Sequence, residues 1–147
     1  MVKKFEELGI CEHVLKVVKA KKFEKPSEIQ AKTIPLVLEG KDVIAGSKTG
    51  SGKTLVFGAG IIKNVEHEKK IQALVLTPTR ELAEQVSSAI GEFAYYKKLE
   101  VVSVYGGVSI ENQIRKLAYA DIVVATPGRL LDHMNRNSIN LSNVRFL

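Results

Sequence analysis

The sequence predicts an α/β fold in which a mainly parallel sheet lies between two layers of helices. Four short apolar runs, at residues 42–46, 73–77, 101–105 and 122–125, are each followed by a turn and a longer helical pattern. These runs are apolar almost throughout rather than alternating, which predicts strands covered on both faces. Repeated strand–helix units with right-handed crossovers build such a three-layer domain. Its ligands bind at the carboxyl ends of the strands.

The bulk composition is that of one globular domain. The chain has 147 residues, of which 45% are hydrophobic and 26% charged. No apolar run reaches the roughly 18 residues that a membrane-spanning helix needs. The single cysteine, Cys11, cannot form an internal disulfide, so we expect a reducing, cytoplasmic location. The net charge of +6 suits a polyanionic partner, although many domains carry such a charge without one.

Two helices are predicted before the first apolar run. Residues 10–21 place Ile10, Val14, Val17 and Val18 on one helical stripe. Residues 27–38 form the second predicted helix, which begins with the spacing of a capping box. After the four runs, the pattern predicts helices over residues 53–66, 81–96, 110–119 and 130–135.

A glycine-containing loop follows the first apolar run, with the sequence Ser47-Lys48-Thr49-Gly50-Ser51-Gly52-Lys53-Thr54. Gly50 and Gly52 allow the backbone to curl around phosphate oxygens, and the helix after the loop adds positive charge at its N-terminus. Lys53 can reach the β- and γ-phosphates, and the Thr54 hydroxyl can hold Mg²⁺. The strict pattern has glycine where this chain has Ser47, and the alternative is a turn that binds nothing. The motif predicts nucleoside triphosphate binding without saying what the energy drives.

Four further segments surround this loop. Upstream lies Phe23-Glu24-Lys25-Pro26-Ser27-Glu28-Ile29-Gln30; downstream lie Pro78-Thr79-Arg80-Glu81-Leu82-Ala83, Gly106-Gly107 and Thr126-Pro127-Gly128-Arg129. Each segment is weak alone, but in this order around the phosphate loop they closely resemble the DEAD-box ATP-dependent RNA helicases. The resemblance runs from Phe5 to the end of the chain and implies a RecA-like P-loop NTPase domain.

The resemblance implies that ATP is preferred over GTP. In that family an upstream aromatic, here Phe5, stacks on adenine, and the residue matching Gln30 reads the edge of the base. A glutamine amide can pair with adenine N6 and N7, while Ser27 and Gln30 also have capping-box spacing, and both roles can coexist. We expect Lys53 and Thr54 to be catalytic and Thr54 to bind the metal. The expected nucleotide-binding set is Phe5, Lys25, Gln30, Lys48, Thr49, Gly50, Ser51, Gly52, Lys53 and Thr54.

The downstream segments are expected to hold RNA. Each follows a predicted strand, and each has a plainer explanation: Thr79 and Thr126 as helix caps, Gly106-Gly107 as a strand-ending turn, and Arg129 as a surface charge. The resemblance implies that they grip the sugar-phosphate backbone without reading sequence. The expected RNA-binding set is Pro78, Thr79, Arg80, Gly106, Gly107, Thr126, Pro127, Gly128 and Arg129.

The chain resembles only the front part of such a helicase. We expect an adenine-recognition region at 1–40 and a P-loop core at 41–147, with a strand beginning near 143–147. The family's Asp-Glu-Ala-Asp sequence, with its catalytic Glu, and the second RecA-like domain are absent. We therefore expect an inactive fragment whose incomplete sheet promotes self-association. In the full-length protein, ATP hydrolysis would drive RNA unwinding or ribonucleoprotein remodelling. The competing hypotheses are a DNA helicase and a nucleotide-binding module or kinase that never uses nucleic acid.

Overall fold

The computed structural model describes residues 3–147, which form two compact units. The first unit runs to Asn64 and includes Glu92–Lys97, and the second comprises Val65–Gly91 and Lys98–Leu147. None of the helices among the described residues is long and apolar enough to cross a membrane.

Helices make up the regular structure of the first unit. They are α1 (Glu12–Ala20), α2 (Glu28–Leu38) and α3 (Lys53–Asn64), with 3₁₀ turns at Phe5–Leu8 and Tyr95–Lys97. α2 and α3 pack closely because α3 carries glycine at the crossing. A Cβ atom on Gly60 would lie 2.3 Å from Val37 Cγ1, so a larger residue there requires the Val37 side chain to move. The fully buried Ile34 and Ile62 come from these two helices.

A three-stranded parallel sheet forms the centre of the second unit. The strands are β1 (Ala73–Leu76), β2 (Val101–Val104) and β3 (Ile122–Ala125), in the order β1-β3-β2. The remaining helices are α4 (Arg80–Phe93), α5 (Ile110–Leu117) and α6 (Pro127–Asn135). β3 is fully buried along its whole length, as expected for a central strand paired on both sides. The core of this unit contains Ile71, Leu74, Val102, Val104, Leu117, Ala120, Val123, Ala125 and Leu130.

The register of the sheet brings three turns to one edge. Leu76 of β1 and Val104 of β2 both pair with Ala125 of β3, so the three strands end at the same level. The chain leaves these strands through residues 77–80, 105–109 and 126–129, which we call the three-turn edge. In parallel sheets this carboxyl edge is where ligands bind.

The predicted α/β class and parallel sheet are confirmed, and three of the four predicted strands are present. The predicted helices are also present, with ends that differ by a few residues; α6 starts at Pro127 rather than at residue 130. The strand expected near 143–147 is reduced to one parallel bridge between Ala73 and Phe146.

The strand predicted at residues 42–46 is wrong. This segment has no regular secondary structure, and Ile44 is completely exposed. An apolar run becomes a strand only when a neighbour supplies hydrogen bonds, and β3 is the partner of both other strands in this sheet. Within residues 3–147 no ladder reaches the segment, which explains why its apolar pattern does not produce a strand.

Candidate functional site

The phosphate loop in the first unit curls before α3. Gly50 and Gly52 have φ angles of +80° and +86°, in the left-handed region that side chains disfavour. The Lys53 ammonium donates hydrogen bonds to the carbonyl oxygens of Ser47 and Lys48, the second at 3.1 Å. The cation therefore lies against the loop's own backbone at the N-terminus of α3. Phosphate oxygens, which carry full negative charge, are stronger acceptors than these neutral carbonyls.

Ser51 carries an unsatisfied group inside this loop. Its hydroxyl is the one buried side-chain polar atom, among residues 3–147, that lacks a hydrogen-bond partner. Leaving such a group unpaired costs about 1–3 kcal/mol, and native structures rarely retain one without a reason. An acceptor such as a phosphate oxygen would satisfy it, so the loop fits a polyphosphate.

Gln30 joins α2 to the phosphate loop. Its Oε1 accepts from Ser27 N at 2.9 Å, and its Nε2 donates to Gly52 O at 3.1 Å. The Ser27 hydroxyl accepts from Gln30 N and donates to Ser51 O at 2.8 Å, so the capping box predicted from the spacing is confirmed. Each Gln30 amide atom keeps one further hydrogen-bonding position. The cap is therefore compatible with a second role at a ligand.

The remaining nucleotide-set residues of the first unit differ in exposure. Phe5 is only 3% exposed, which leaves little of its ring accessible to a base. Lys25 and Lys48 are exposed, while Thr54 is half-buried on the first turn of α3. A concavity of about 490 Å³ borders Pro26 and Ser27, but no phosphate-loop residue lines it.

Arg80 ends the first turn of the three-turn edge and begins α4. The Thr79 hydroxyl accepts from Leu82 N at 3.2 Å, so Thr79 caps α4 as its position suggests. The Arg80 guanidinium lies 4.9 Å from the centre of the Tyr105 ring, within the range of a cation–π contact. Arg80 Nε is also 3.4 Å from Glu84 Oε1. These contacts fix the direction of Arg80 at the edge.

Tyr105 is held between an acid and a base. The neighbouring Glu84 carboxylate, together with burial, raises the pKa of the phenol above its ordinary value, while Arg80 acts in the opposite direction. The phenol therefore stays neutral at physiological pH and serves as a donor and as a ring surface.

Gly107 permits a close approach in the second turn. Its φ angle is +83°, and an added Cβ would lie 3.2 Å from the Arg80 guanidinium. Glycine at this position therefore suits the left-handed backbone and leaves room for the Arg80 guanidinium beside the turn.

Arg129 of the third turn is bonded to the second turn. Its Nη1 donates to Val108 O at 3.0 Å and to Gln113 Oε1 at 3.2 Å. Thr126 is the N-cap residue of α6 without a side-chain cap bond, and Pro127 follows at the first helical position. Arg129 is half-buried and is therefore more than a solvated surface charge.

Two buried residues that are bonded to this edge, directly or through each other, are not predicted from the sequence. Gln113 on α5 donates to Tyr105 O at 2.8 Å and accepts from His133 Nε2 on α6 at 2.9 Å. Gln113 lies one turn before the buried Leu117, so helical spacing is the signal that places it on the inner face of α5. Its partner cannot be read from such a pattern. Burial, followed by the nearby Arg129, lowers the pKa of His133 below its ordinary value.

Comparison with known proteins identifies the family. The sequence profile of DEAD/DEAH box helicases matches residues 27–147, which is most of the chain. The chain belongs to the DEAD/DEAH box helicase family. A probable ATP-dependent RNA helicase of Methanocaldococcus jannaschii is 46% identical over 143 residues, 97% of this chain. The ATP-dependent RNA helicase CshA of Limosilactobacillus reuteri is 46% identical over 98% of it.

Solved structures agree with this family and fold. The crystal structure of a DEAD box protein from the hyperthermophile Methanococcus jannaschii matches 97% of this chain with a TM-score of 0.92 and 46% identity. A hypothetical ATP-dependent RNA helicase from Sulfolobus tokodaii matches 92% with a TM-score of 0.83 and 42% identity. This DEAD/DEAH box chain spans only 39% and 29% of the lengths of the first two relatives named. It also spans 40% of each of the two solved chains.

The predicted residues of this DEAD/DEAH box chain fall into two groups. The nucleotide set lies in the first unit, where Gln30 and the phosphate loop are hydrogen-bonded to each other. The RNA set lies in the second unit, where all three of its segments meet at the three-turn edge. Within residues 3–147 no cluster of three or more His, Cys, Asp or Glu side chains forms a site that could hold a metal ion.

Proposed function

We propose that this chain is the ATP-binding and RNA-backbone-binding part of an ATP-dependent RNA helicase, the activity named for its relatives. The observation that carries the proposal is the phosphate loop with its buried, unpaired Ser51 hydroxyl, in a chain of this family. In the full-length protein, ATP hydrolysis would be coupled to unwinding RNA or remodelling its complexes.

For the phosphates, the proposal assigns Lys53 and the loop backbone. Lys53 would exchange its two carbonyl contacts for β- and γ-phosphate oxygens, and Ser51 would gain its missing partner. The backbone N–H groups of the loop would point toward the phosphate oxygens, and its glycines allow the curved backbone that this needs. The loop residues concerned are Lys48, Thr49, Gly50 and Gly52. Magnesium keeps several waters and binds through one or two protein oxygens together with phosphates, so the single Thr54 hydroxyl fits a share of its coordination. The ion would neutralise charge on the transferred phosphoryl group.

For the base, the proposal assigns Gln30, Lys25 and Phe5. Gln30 keeps one donor and one acceptor position, which is what an adenine edge requires. For Phe5 to stack on adenine, its buried ring has to become accessible when nucleotide binds.

For RNA, the proposal assigns the three-turn edge. Its guanidinium groups, hydroxyls and helix N-termini suit phosphate and sugar contacts rather than base edges. The residues are Pro78, Thr79, Arg80, Gly106, Gly107, Thr126, Pro127, Gly128 and Arg129. Arg80 and Arg129 are held by neighbours of their own edge, so they meet phosphate with little loss of side-chain freedom.

Nucleotide titrations test the phosphate and base assignments. Lys53→Ala in the intact protein should weaken ATP binding at least about tenfold, because a charge-assisted contact is lost. Gln30→Ala should reduce the preference for ATP over GTP. Lys63→Ala, at the exposed C-terminal end of α3, is the matched control and should change neither. Unaltered ATP binding by Lys53→Ala would refute the assignment.

Salt titrations test the RNA assignment. Arg80→Ala and Arg129→Ala should each weaken single-stranded RNA binding and reduce the slope of log affinity against log salt by about 0.7. Arg145→Ala, exposed elsewhere in the second unit, is the control. Slopes that match the wild type in both variants would contradict phosphate contacts at this edge.

We also propose that the exposed segment at residues 42–46 promotes self-association. Ile44 is fully exposed in a backbone that pairs with no strand in residues 3–147. Sedimentation of the 147-residue chain should show a mass that increases with concentration and falls on Ile44→Lys. A monomer at all concentrations would rule this out.

A further inference from the structure

The second unit contains a network of polar side chains that are not proposed to contact ATP or RNA. Gln113 is 5% exposed and His133 is fully buried, and Ser138 completes the chain of contacts. Burying polar groups is costly unless they are hydrogen-bonded, and here each side-chain nitrogen and oxygen of the three residues has a partner. The network runs from the turn after β2, through α5, to α6.

The partners fix how Gln113 is oriented. Its Nε2 lies 2.8 Å from Tyr105 O, which can only accept, and its Oε1 lies 3.2 Å from Arg129 Nη1, which can only donate. Exchanging the amide nitrogen and oxygen would oppose donor to donor and acceptor to acceptor. The amide therefore has one satisfactory orientation.

The same logic fixes the state of His133. Because Gln113 Oε1 accepts, His133 Nε2 must donate across the 2.9 Å contact. The Ser138 hydroxyl has one hydrogen and lies 2.7 Å from His133 Nδ1 and 3.2 Å from His133 O. In the neutral ring this hydrogen goes to Nδ1, the shorter contact, and Nδ1 accepts it. A neutral imidazole protonated on Nε2 satisfies the contacts with Gln113 and Ser138, and its Nε2–H holds Gln113 Oε1 while Tyr105 O holds Gln113 Nε2.

The consequence appears at Arg129. Its Nη1 has two hydrogens, and they are used by Val108 O and Gln113 Oε1. A guanidinium has five N–H groups, so Nε and Nη2 retain three that bond nothing else among residues 3–147. These form the fork that binds phosphate in a bidentate manner. Gln113 thus engages Nη1 of the guanidinium and leaves the Nε and Nη2 hydrogens for a phosphate.

We propose that Gln113, supported by His133, is a positioning residue that aims Arg129 at an RNA phosphate and fixes the turn after β2 relative to α6. This inference rests on the proposed function, because it concerns how the RNA-binding edge is held. Gln113 touches Arg129 and Tyr105 O rather than RNA. Its effect therefore passes through Arg129 and the turn.

The test compares two buried glutamines of the same unit. Gln72 is 3% exposed and, like Gln113, makes several hydrogen bonds, but to the backbone of Glu66 and Lys70, away from the three-turn edge. In the intact protein, the dissociation constant for a fluorescent single-stranded RNA is measured with a non-hydrolysable ATP analogue present. Gln113→Leu should weaken RNA binding about tenfold, as loss of a hydrogen bond to a charged group implies. Gln72→Leu should change the RNA dissociation constant by less than about twofold, even if it destabilises the second unit as much as Gln113→Leu does.

A double-mutant cycle separates positioning from general damage. Gln113→Leu should weaken RNA binding much less in an Arg129→Ala background, because the residue through which it acts is gone. ATP affinity should be unchanged throughout. If Gln113→Leu does not fold, Gln113→Asn shortens the side chain, withdraws the acceptor from Arg129, and should show the same loss.

Three outcomes would overturn the inference. In the first, a Gln113 variant binds RNA with wild-type affinity while Arg129→Ala binds it more weakly. In the second, the fold-changes in RNA affinity of Gln113→Leu and Arg129→Ala multiply in the double mutant. In the third, Gln72→Leu and Gln113→Leu lose the same RNA affinity. A failure of the proposed function looks different, since the wild-type protein would then bind no RNA.

Discussion

Gly52 lies where the phosphate loop meets the side chain of Gln30. A Cβ atom there would be 2.2 Å from Gln30 Nε2, and the residue has a φ angle of +86°. Gly52→Ala therefore combines about 1–2 kcal/mol of backbone strain with displacement of Gln30. We expect a lower unfolding midpoint and weaker ATP binding, measured by thermal unfolding and nucleotide titration.

Two other glycines of the same region provide the controls. Gly50 has a similar φ angle of +80° but no atom within 4 Å of an added Cβ, so the unfolding midpoint of Gly50→Ala reports the backbone strain alone. Gly46 has neither constraint, and Gly46→Ala should be nearly neutral. Equal effects at Gly52 and Gly50 would show that the contact with Gln30 does not matter.

His133 predicts how stability depends on pH. Burial and the adjacent Arg129 and Arg136 lower its folded pKa, and Asp132 opposes them, while the unfolded value is about 6.5. The unfolded state therefore binds a proton more readily than the folded state. Stability is fully present above about pH 6.5 and is lost as pH falls from there toward the folded pKa.

Unfolding midpoints between pH 8 and pH 5 measure this effect. His133→Gln should lower the midpoint at pH 8, because its hydrogen bonds change, and should flatten the decline below about pH 6.5. His13→Gln, on α1, is the control for loss of a histidine and should keep the wild-type decline. A His133→Gln profile parallel to wild type would contradict the assignment.

At the level of single residues, sequence spacing found the capping box of Ser27 and Gln30 and the cap at Thr79 because these contacts are local. It did not find Gln113, whose partners lie on other elements. The roles proposed for the nucleotide and RNA residues remain predictions until the binding experiments are done.

Among the elements, the loop before β1 is anchored by one buried carboxylate. Asp121 is fully buried and accepts from Glu68 N and Lys69 N at 3.0 Å, from Glu100 N at 2.9 Å, and from His67 at 2.8 Å. Asp121→Asn would turn an amide N–H toward at least one of these donors. We expect a loss of about 3 kcal/mol in the free energy of unfolding.

Hydrogen exchange and denaturant unfolding measure this loss. The amides of Glu68, Lys69 and Glu100 should lose protection in Asp121→Asn. Asp132→Asn removes an exposed pair between α6 and Arg136, the residue that follows this helix, and should cost less than about 1 kcal/mol. Similar losses in the two variants would mean that Asp121 does not anchor the loop.

The elements also show where apolar patterning is sufficient. β3 was predicted with correct ends because four consecutive buried residues need a central strand. Residues 42–46 have the same kind of composition but form no strand, because composition reports a preference for burial and cannot supply a hydrogen-bonding partner.

For the whole molecule, the alternation of apolar runs and helical patterns predicted the α/β class and the order of motifs predicted the family, and both are confirmed. The three segments proposed to bind RNA meet at one edge because their strands end together, a consequence of parallel topology. The network that ties those segments through Tyr105, Gln113 and Arg129 depends on tertiary packing. Spacing along the chain does not encode it.

The central claim is that this family member couples ATP, bound at the phosphate loop, to RNA. The direct measurement is the initial rate of ATP hydrolysis by the intact protein with Mg²⁺, alone, with single-stranded RNA, and with single-stranded DNA of the same sequence. The claim predicts that RNA raises the rate several-fold, that DNA does not, and that Lys53→Ala abolishes hydrolysis. A rate that ignores RNA, or that survives Lys53→Ala, would contradict it.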